Sequence, residues 1–95
     1  ELKKRNLKIA VVYMHEQNRF ELWLGGSNRK IQAEYIEKMR HMDIGEYKLS
    51  AINPGVDSIV EWQIIRQPDF DLAEELVKKV EIKTIEFIRN ILSIL

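Results

Sequence analysis

The stretch Arg19-Phe20-Glu21-Leu22-Trp23-Leu24 alternates between two kinds of side chain and decides the fold class. Phe20, Leu22 and Leu24 point to one side of an extended chain, and Arg19, Glu21 and Trp23 point to the other. Such alternation is typical of an antiparallel strand with one face in the core and one face in solvent. It therefore predicts a half-buried strand, which Gly25-Gly26 ends.

A second strand precedes this one. Residues Leu7 to Met14 form a β-branched, apolar run, which favours a strand. Both of its faces are apolar, so we expect a central strand that is covered on both sides. The polar residues His15 to Asn18 then predict the turn of a hairpin.

A helix is expected after the two glycines. Ser27 or Asn28 can cap it. One apolar stripe follows at helical spacing, with Ile36 widening it: Ile31, Tyr35, Met39 and Met42.

The same order then repeats. Tyr47–Ile52 predicts a strand, Asn53-Pro54-Gly55 a turn, and Ser58–Ile65 an alternating strand. After Pro68, the stretch Asp71-Leu72-Ala73-Glu74 matches a capping box at the start of a second helix. The predicted core stripe of that helix consists of Ala73, Leu76, Val77, Val80, Ile88, Ile91 and Leu95.

Sliding the first half forward by 40 residues places Glu21 on Glu61 and Leu24 on Ile64. The chain therefore predicts one α+β domain over residues 1–95, built as a two-layer sandwich in the order β-β-α-β-β-α. Its sheet has four antiparallel strands, and both helices cover one face. Because the chain begins at Glu1 without an initiator methionine, we interpret it as a piece of a longer protein.

Composition excludes several classes of function. The 15 basic residues match the 15 acidic ones, so the bulk attraction that non-specific nucleic-acid binding needs is missing, and we expect no nucleic-acid partner. There is no cysteine, which excludes disulfides, thiolate zinc sites and iron–sulfur clusters. No stretch approaches the ~20 apolar residues of a membrane span, so a cytoplasmic location without a membrane partner is the expectation.

The second helix carries apolar residues beyond its main stripe: Ile82, Ile85, Phe87, Leu92 and Ile94. An apolar arc this wide indicates a covering partner. Two explanations stand open, a homodimer and an N-terminal segment upstream of Glu1.

The first candidate site is the segment from Gly25 to Lys30. A glycine pair leads into a helix start, where free amides and the cations Arg29 and Lys30, next to Asn28, favour an anion. The spacing of a phosphate-binding loop is absent. In the alternative interpretation, the glycines end a strand and the cations are solvated.

The second candidate is the outer face of the sheet, where a tryptophan among polar residues suggests contact with a ligand or another chain. Its members are Arg19, Glu21, Trp23, Lys48, Ser50, Asp57, Glu61 and Gln63. The carboxylates of Glu21, Asp57 and Glu61 also raise a metal-dependent, nuclease-like alternative. Glu61-Trp62-Gln63 has glutamine where such nucleases carry lysine, which favours a salt-bridged face instead.

Neither His15 nor His41 has a visible set of further ligands or a catalytic partner. We therefore assign no catalytic residues, no metal and no cofactor. The leading hypothesis is a non-catalytic interaction or ligand-binding domain.

A family resemblance rests on several segments. They are Lys8–Val12, His15-Glu16, Arg19–Leu24, Asn28, Gly55–Glu61 and Pro68-Asp69-Phe70. In these segments the chain resembles an uncharacterised bacterial domain family, one of the numbered domains of unknown function. The resemblance implies a position in the C-terminal part of a longer protein and implies no activity, substrate or cofactor.

Overall fold

The computed structural model describes residues 2–51 and 57–95. The elements are β1 (Leu7–Met14), β2 (Arg19–Gly26), α1 (Arg29–Arg40), β3 (Lys48–Leu49), β4 (Ser58–Arg66) and α2 (Ala73–Ile94), with short 3₁₀ turns at Lys3–Arg5 and Phe70–Leu72. The predicted α+β class, its element order and its four-stranded antiparallel sheet are confirmed. The predicted turn at Asn53-Pro54-Gly55 lies outside the described residues.

The sheet order is β1-β2-β4-β3. In each strand pair the first member is therefore at an edge and the second is central, in keeping with the repeat of the sequence pattern. The prediction that β1 is a central strand is wrong. Only Leu7 in β1 is fully buried, and Val11 is about half exposed. A run of β-branched residues indicates a strand, but it does not indicate whether that strand has one neighbouring strand or two.

β3 is much shorter than the predicted strand from Tyr47 to Ile52. Lys48 lies opposite Glu61 and Leu49 opposite Val60. The pairing continues one residue further through a hydrogen bond from the Ser50 amide to the Ile59 carbonyl, with 2.8 Å between nitrogen and oxygen.

The chain forms two compact units. The first unit comprises Glu1–Ala10 and Trp23–Trp62, and the second comprises Val11–Leu22 and Gln63–Leu95. In the first unit, α1 buries Gln32, Ile36 and Met39, so its buried stripe is centred one residue away from the predicted one.

In the second unit, α2 buries Phe87 and Ile91 most completely. Phe87 was expected outside the main stripe and is in its centre instead. Ala73 and Val77 were expected in the core but are exposed. The residues that α2 turns inward are Leu76, Val80, Thr84, Phe87 and Ile91. Because Thr84 carries a hydroxyl, a search for apolar residues at helical spacing does not find this face.

The two helices begin differently. The Oδ1 of Asn28 accepts a hydrogen bond from the Ile31 amide, so Asn28 caps α1 as one of the two predicted candidates. The capping box predicted at Asp71 is wrong, because the residue before α2 is Leu72 and no side chain caps the helix. The carboxylate of Asp69 accepts from the Asp71 amide and closes the preceding 3₁₀ turn.

Within the described part of the chain, neither helix combines the length and the apolar character needed to cross a bilayer.

Candidate functional site

The glycine pair at the end of β2 is explained by close packing. A Cβ atom at Gly26 would lie 2.8 Å from the backbone nitrogen of Gln32, closer than real Cβ contacts allow. A Cβ at Gly25 would meet the Cε of Lys8 at 3.2 Å. The end of β2 therefore touches the first turn of α1, and only glycine allows this approach at Gly26.

The start of α1 makes its own polar contacts. The Ser27 hydroxyl donates to the Asn6 carbonyl at 2.8 Å, and the side chain of Asn28 occupies the Ile31 amide at 3.0 Å. Arg29 and Lys30 are exposed. The capping side chain takes an amide that an anion would otherwise use, and anion binding at Asn28, Arg29 and Lys30 stays a prediction.

A buried polar cluster connects β3 to β4 in the first unit. Ser50 and Ser58 both contact the Glu61 Oε2 at 3.1 Å, and their Oγ atoms lie 3.0 Å apart. The Ser58 carbonyl accepts from the Gln32 Nε2 at 2.9 Å, which attaches α1 to the same strand. We call Gln32, Ser50, Ser58 and Glu61 the serine–glutamate cluster.

The serine–glutamate cluster is short of hydroxyl protons. Two serines supply two protons, while the three oxygen atoms make three mutual contacts. When both hydroxyls donate to the Glu61 carboxylate, no proton is left for a hydrogen bond between Ser50 and Ser58. Ser58 is 1% exposed, so its hydroxyl is enclosed and holds the carboxylate. This arrangement stabilises the pairing of β3 with β4.

Asp57 precedes β4 and makes contacts through both its side chain and its backbone carbonyl. Its carboxylate lies 2.6 Å from the Nζ of Lys8, and its carbonyl accepts from the Gly26 amide at 3.1 Å. The side chains of Lys8 and Asp57 are both about half exposed, so the ion pair itself contributes little to stability.

Glu21 corrects the prediction of a polar outer face. It is 2% exposed, and its Oε2 lies 2.6 Å from the Arg19 Nε. Trp23 was expected to be exposed and is half-buried. Alternation assigns side chains to faces of a strand, but it does not show which face is covered. Gln63 is exposed as expected, and its side-chain oxygen accepts from Arg66 at 3.3 Å.

The three carboxylates of the nuclease-like alternative take different partners. Glu21 binds Arg19, Asp57 binds Lys8, and Glu61 contacts the two serines. Among the residues described, 2–51 and 57–95, no three histidine or acidic side chains converge to hold a metal ion. The convergence that this alternative requires is therefore not met.

An aromatic cluster in the second unit was not predicted. The Tyr13 ring lies 4.7 Å from the His15 ring, 5.1 Å from Phe20 and 5.7 Å from Phe70, measured between centroids. The Gln67 amide donates to the Asn18 carbonyl, and both residues have positive φ. Tyr13, His15 and Phe20 belong to one hairpin, whereas Phe70 is far along the chain; the hydrogen bond joins the turn of that hairpin to the residue that follows β4, three residues before Phe70.

Large apolar side chains are exposed on α2. Ile82 and Ile85 are 65% and 53% exposed, and together with Glu86 and Arg89 they line a shallow depression. We call the exposed residues Glu75, Lys78, Ile82, Ile85, Glu86 and Arg89 the outer face of α2. The sequence correctly singled out Ile82 and Ile85 as a surplus beyond the core stripe.

A comparison with protein families finds a match over residues 1–95 to the family described as Domain of unknown function (DUF7000). The chain belongs to this family. The resemblance to a numbered domain of unknown function is thus confirmed at the level of the family. Neither the curated proteins nor the solved structures contain a match.

Proposed function

We propose that this chain is a non-catalytic interaction domain that binds another protein chain through the outer face of α2. One observation carries the proposal. Within residues 2–51 and 57–95, the large apolar side chains that are about half exposed or more all lie in the second unit: Val11, Phe70, Leu72, Val77, Ile82 and Ile85. Two of them, Ile82 and Ile85, lie side by side on the outer face of α2, and neighbouring exposed apolar side chains of this kind mark interaction sites.

The charges around Ile82 and Ile85 favour a protein partner over a membrane surface. Helices that lie on membranes carry mainly lysine and arginine on their polar face. The outer face of α2 instead mixes the acids Glu75 and Glu86 with the bases Lys78 and Arg89. Mixed charges of this kind match a protein surface of complementary pattern.

The serine–glutamate cluster is consistent with a binding role that needs no reaction chemistry. Glu61 and the serines hold one another, and Ser58 is enclosed. These contacts stabilise strand pairing and present no reachable nucleophile.

The test is site-specific photo-crosslinking in cells that produce the full protein. A photoreactive phenylalanine analogue replaces Ile85 on the outer face of α2, and in a matched control it replaces Glu34 on the exposed side of α1. We expect a discrete covalent adduct from position 85 and none from position 34. We also expect Ile82→Asp to abolish the adduct, because a carboxylate next to the crosslinker would have to be desolvated at the interface.

The proposal fails if position 85 gives no adduct, or if the adduct survives Ile82→Asp. Thermal melting of the Ile82→Asp chain checks the alternative that this variant acts by unfolding. Since Ile82 is largely exposed, its melting temperature is expected to stay close to that of the parent chain.

A further inference from the structure

The geometry points to a second copy of this chain as the partner, with the two α2 helices packed antiparallel about Ile82. This inference rests on the proposed function and specifies its partner. The residues that carry it are the outer face of α2, where the charged side chains occur in a self-complementary order around Ile82.

The outer face has the spacing of a helix-pairing seam. Five exposed residues follow one another at steps of three, four, three and four positions: Glu75, Lys78, Ile82, Ile85 and Arg89. Such steps keep side chains on one stripe that faces a neighbouring helix over several turns. Ile82 lies in the middle of the stripe and is the most exposed large apolar residue described.

The charges are arranged symmetrically around Ile82 with opposite signs. Lys78 lies four residues before it and Glu86 four residues after it; Glu75 lies seven before and Arg89 seven after. When two copies pair antiparallel with Ile82 on the twofold axis, Lys78 lies opposite the partner's Glu86. Glu75 likewise lies opposite the partner's Arg89. Twofold symmetry forms each of these ion pairs twice.

A parallel pairing of the same face is unfavourable. It would place Lys78 against Lys78, Glu86 against Glu86 and Arg89 against Arg89 of the partner, and like charges at an interface oppose association. The charge order therefore selects the antiparallel orientation. Within one chain Glu86 lies 3.6 Å from Lys83, an exposed contact that is weak enough to be exchanged for a partner's lysine.

The expected dimer is weak and depends on concentration. Two helices in contact bury less than the ~1,600 Å² of a standard stable interface. The exposed ion pairs contribute orientation more than affinity. We therefore expect monomers in dilute solution and dimers at high protein concentration.

The experiment is sedimentation equilibrium of the purified chain over a wide concentration range, with three charge variants. Lys78→Glu alone and Glu86→Lys alone place like charges opposite each other twice, and each is expected to weaken association by about tenfold or more. The double variant Lys78→Glu/Glu86→Lys exchanges the charges and is expected to restore it. Glu34→Lys, an equal change of charge on α1, is expected to leave association unchanged.

Each outcome decides the matter. Dimers that the single variants weaken and the double variant restores support the antiparallel arrangement. Dimers that both single variants leave unchanged overturn it, as does a parent chain that stays monomeric throughout. If the parent chain is monomeric but position 85 still crosslinks to another protein in cells, only the self-pairing is wrong. If there is no crosslink either, the proposed function fails with it.

Discussion

The two compact units differ in the large apolar side chains that they expose. In the first unit, polar side chains are enclosed and have hydrogen-bond partners within the chain: the hydroxyls of Ser50 and Ser58 contact each other, and Gln32 donates to the backbone carbonyl of Ser58. The second unit also encloses Glu21, but large apolar side chains such as Phe70 and Ile82 are more than half exposed there. Enclosed polar groups need partners within the chain, while exposed apolar groups gain by finding them outside it. The difference separates a part of the molecule that stabilises itself from a part suited to association.

The sharpest form of this contrast lies within α2 itself, on its two faces. Phe87→Ala removes a fully buried ring and should lower the free energy of unfolding by about 3–5 kcal/mol. Ile82→Ala removes a largely exposed side chain and should change it by less than about 0.5 kcal/mol. Urea denaturation in dilute solution measures both. Equal losses for the two variants would remove the distinction between the core face and the outer face.

The next largest effect concerns the first unit. Gly26→Ala places a methyl group 2.8 Å from the Gln32 nitrogen and should cost about 1–3 kcal/mol, because the backbone of α1 has to shift. Gly25→Ala is the matched control: its nearest neighbour is the flexible side chain of Lys8, so the cost should be smaller. The melting temperatures of the two variants measure this difference in stability. A Gly26→Ala chain as stable as Gly25→Ala would contradict the close packing of β2 on α1.

The serine–glutamate cluster tests whether the enclosed polar groups act together. Ser58→Ala should cost about 1–2 kcal/mol, because a part-buried hydrogen bond is lost and Glu61 loses one donor. In the Ser50→Ala/Ser58→Ala double variant the loss should differ from the sum of the single losses by at least ~0.5 kcal/mol. A strictly additive double-mutant cycle would show that the two hydroxyls stabilise the strands independently.

The smallest expected effect compares the two helix starts. Asn28→Ala should lower stability by about 1 kcal/mol, since the side chain that satisfies the Ile31 amide is lost. Asp71→Ala should cost less, because it is the carboxylate of Asp69 that closes the turn before α2. If Asp71→Ala is the more damaging change, the capping box expected from the sequence is the better description.

The elements of the fold follow from local patterns in the sequence. Alternation at Arg19–Leu24 and Ser58–Ile65 identifies β2 and β4, and the apolar periodicity identifies both helices. What local patterns do not contain is the set of neighbours. The position of β1 at the sheet edge and the short pairing of β3 depend on contacts between distant segments.

The candidate sites divide in the same way. Ile82 and Ile85 could be recognised because they exceed what one buried stripe requires. Glu21 could not be placed, because the ion pair with Arg19 that accompanies its burial also fits a solvent-facing strand position. Because Thr84 is polar, the apolar pattern did not show which face of α2 is buried, and Phe87 was therefore not assigned to the core. The aromatic cluster around Tyr13 requires Phe70, from a segment far along the chain.

Gln32 has a consequence for the uniqueness of the native state. It is the buried residue of α1 that donates to the Ser58 carbonyl. If α1 rotated to bring Ile31 or Ala33 to this position, no side-chain donor would reach the carbonyl. An apolar residue of similar volume, as in Gln32→Leu, would fill the space but would no longer distinguish these rotations. We therefore expect that variant to show several sets of amide resonances for α1, even if its melting temperature is retained.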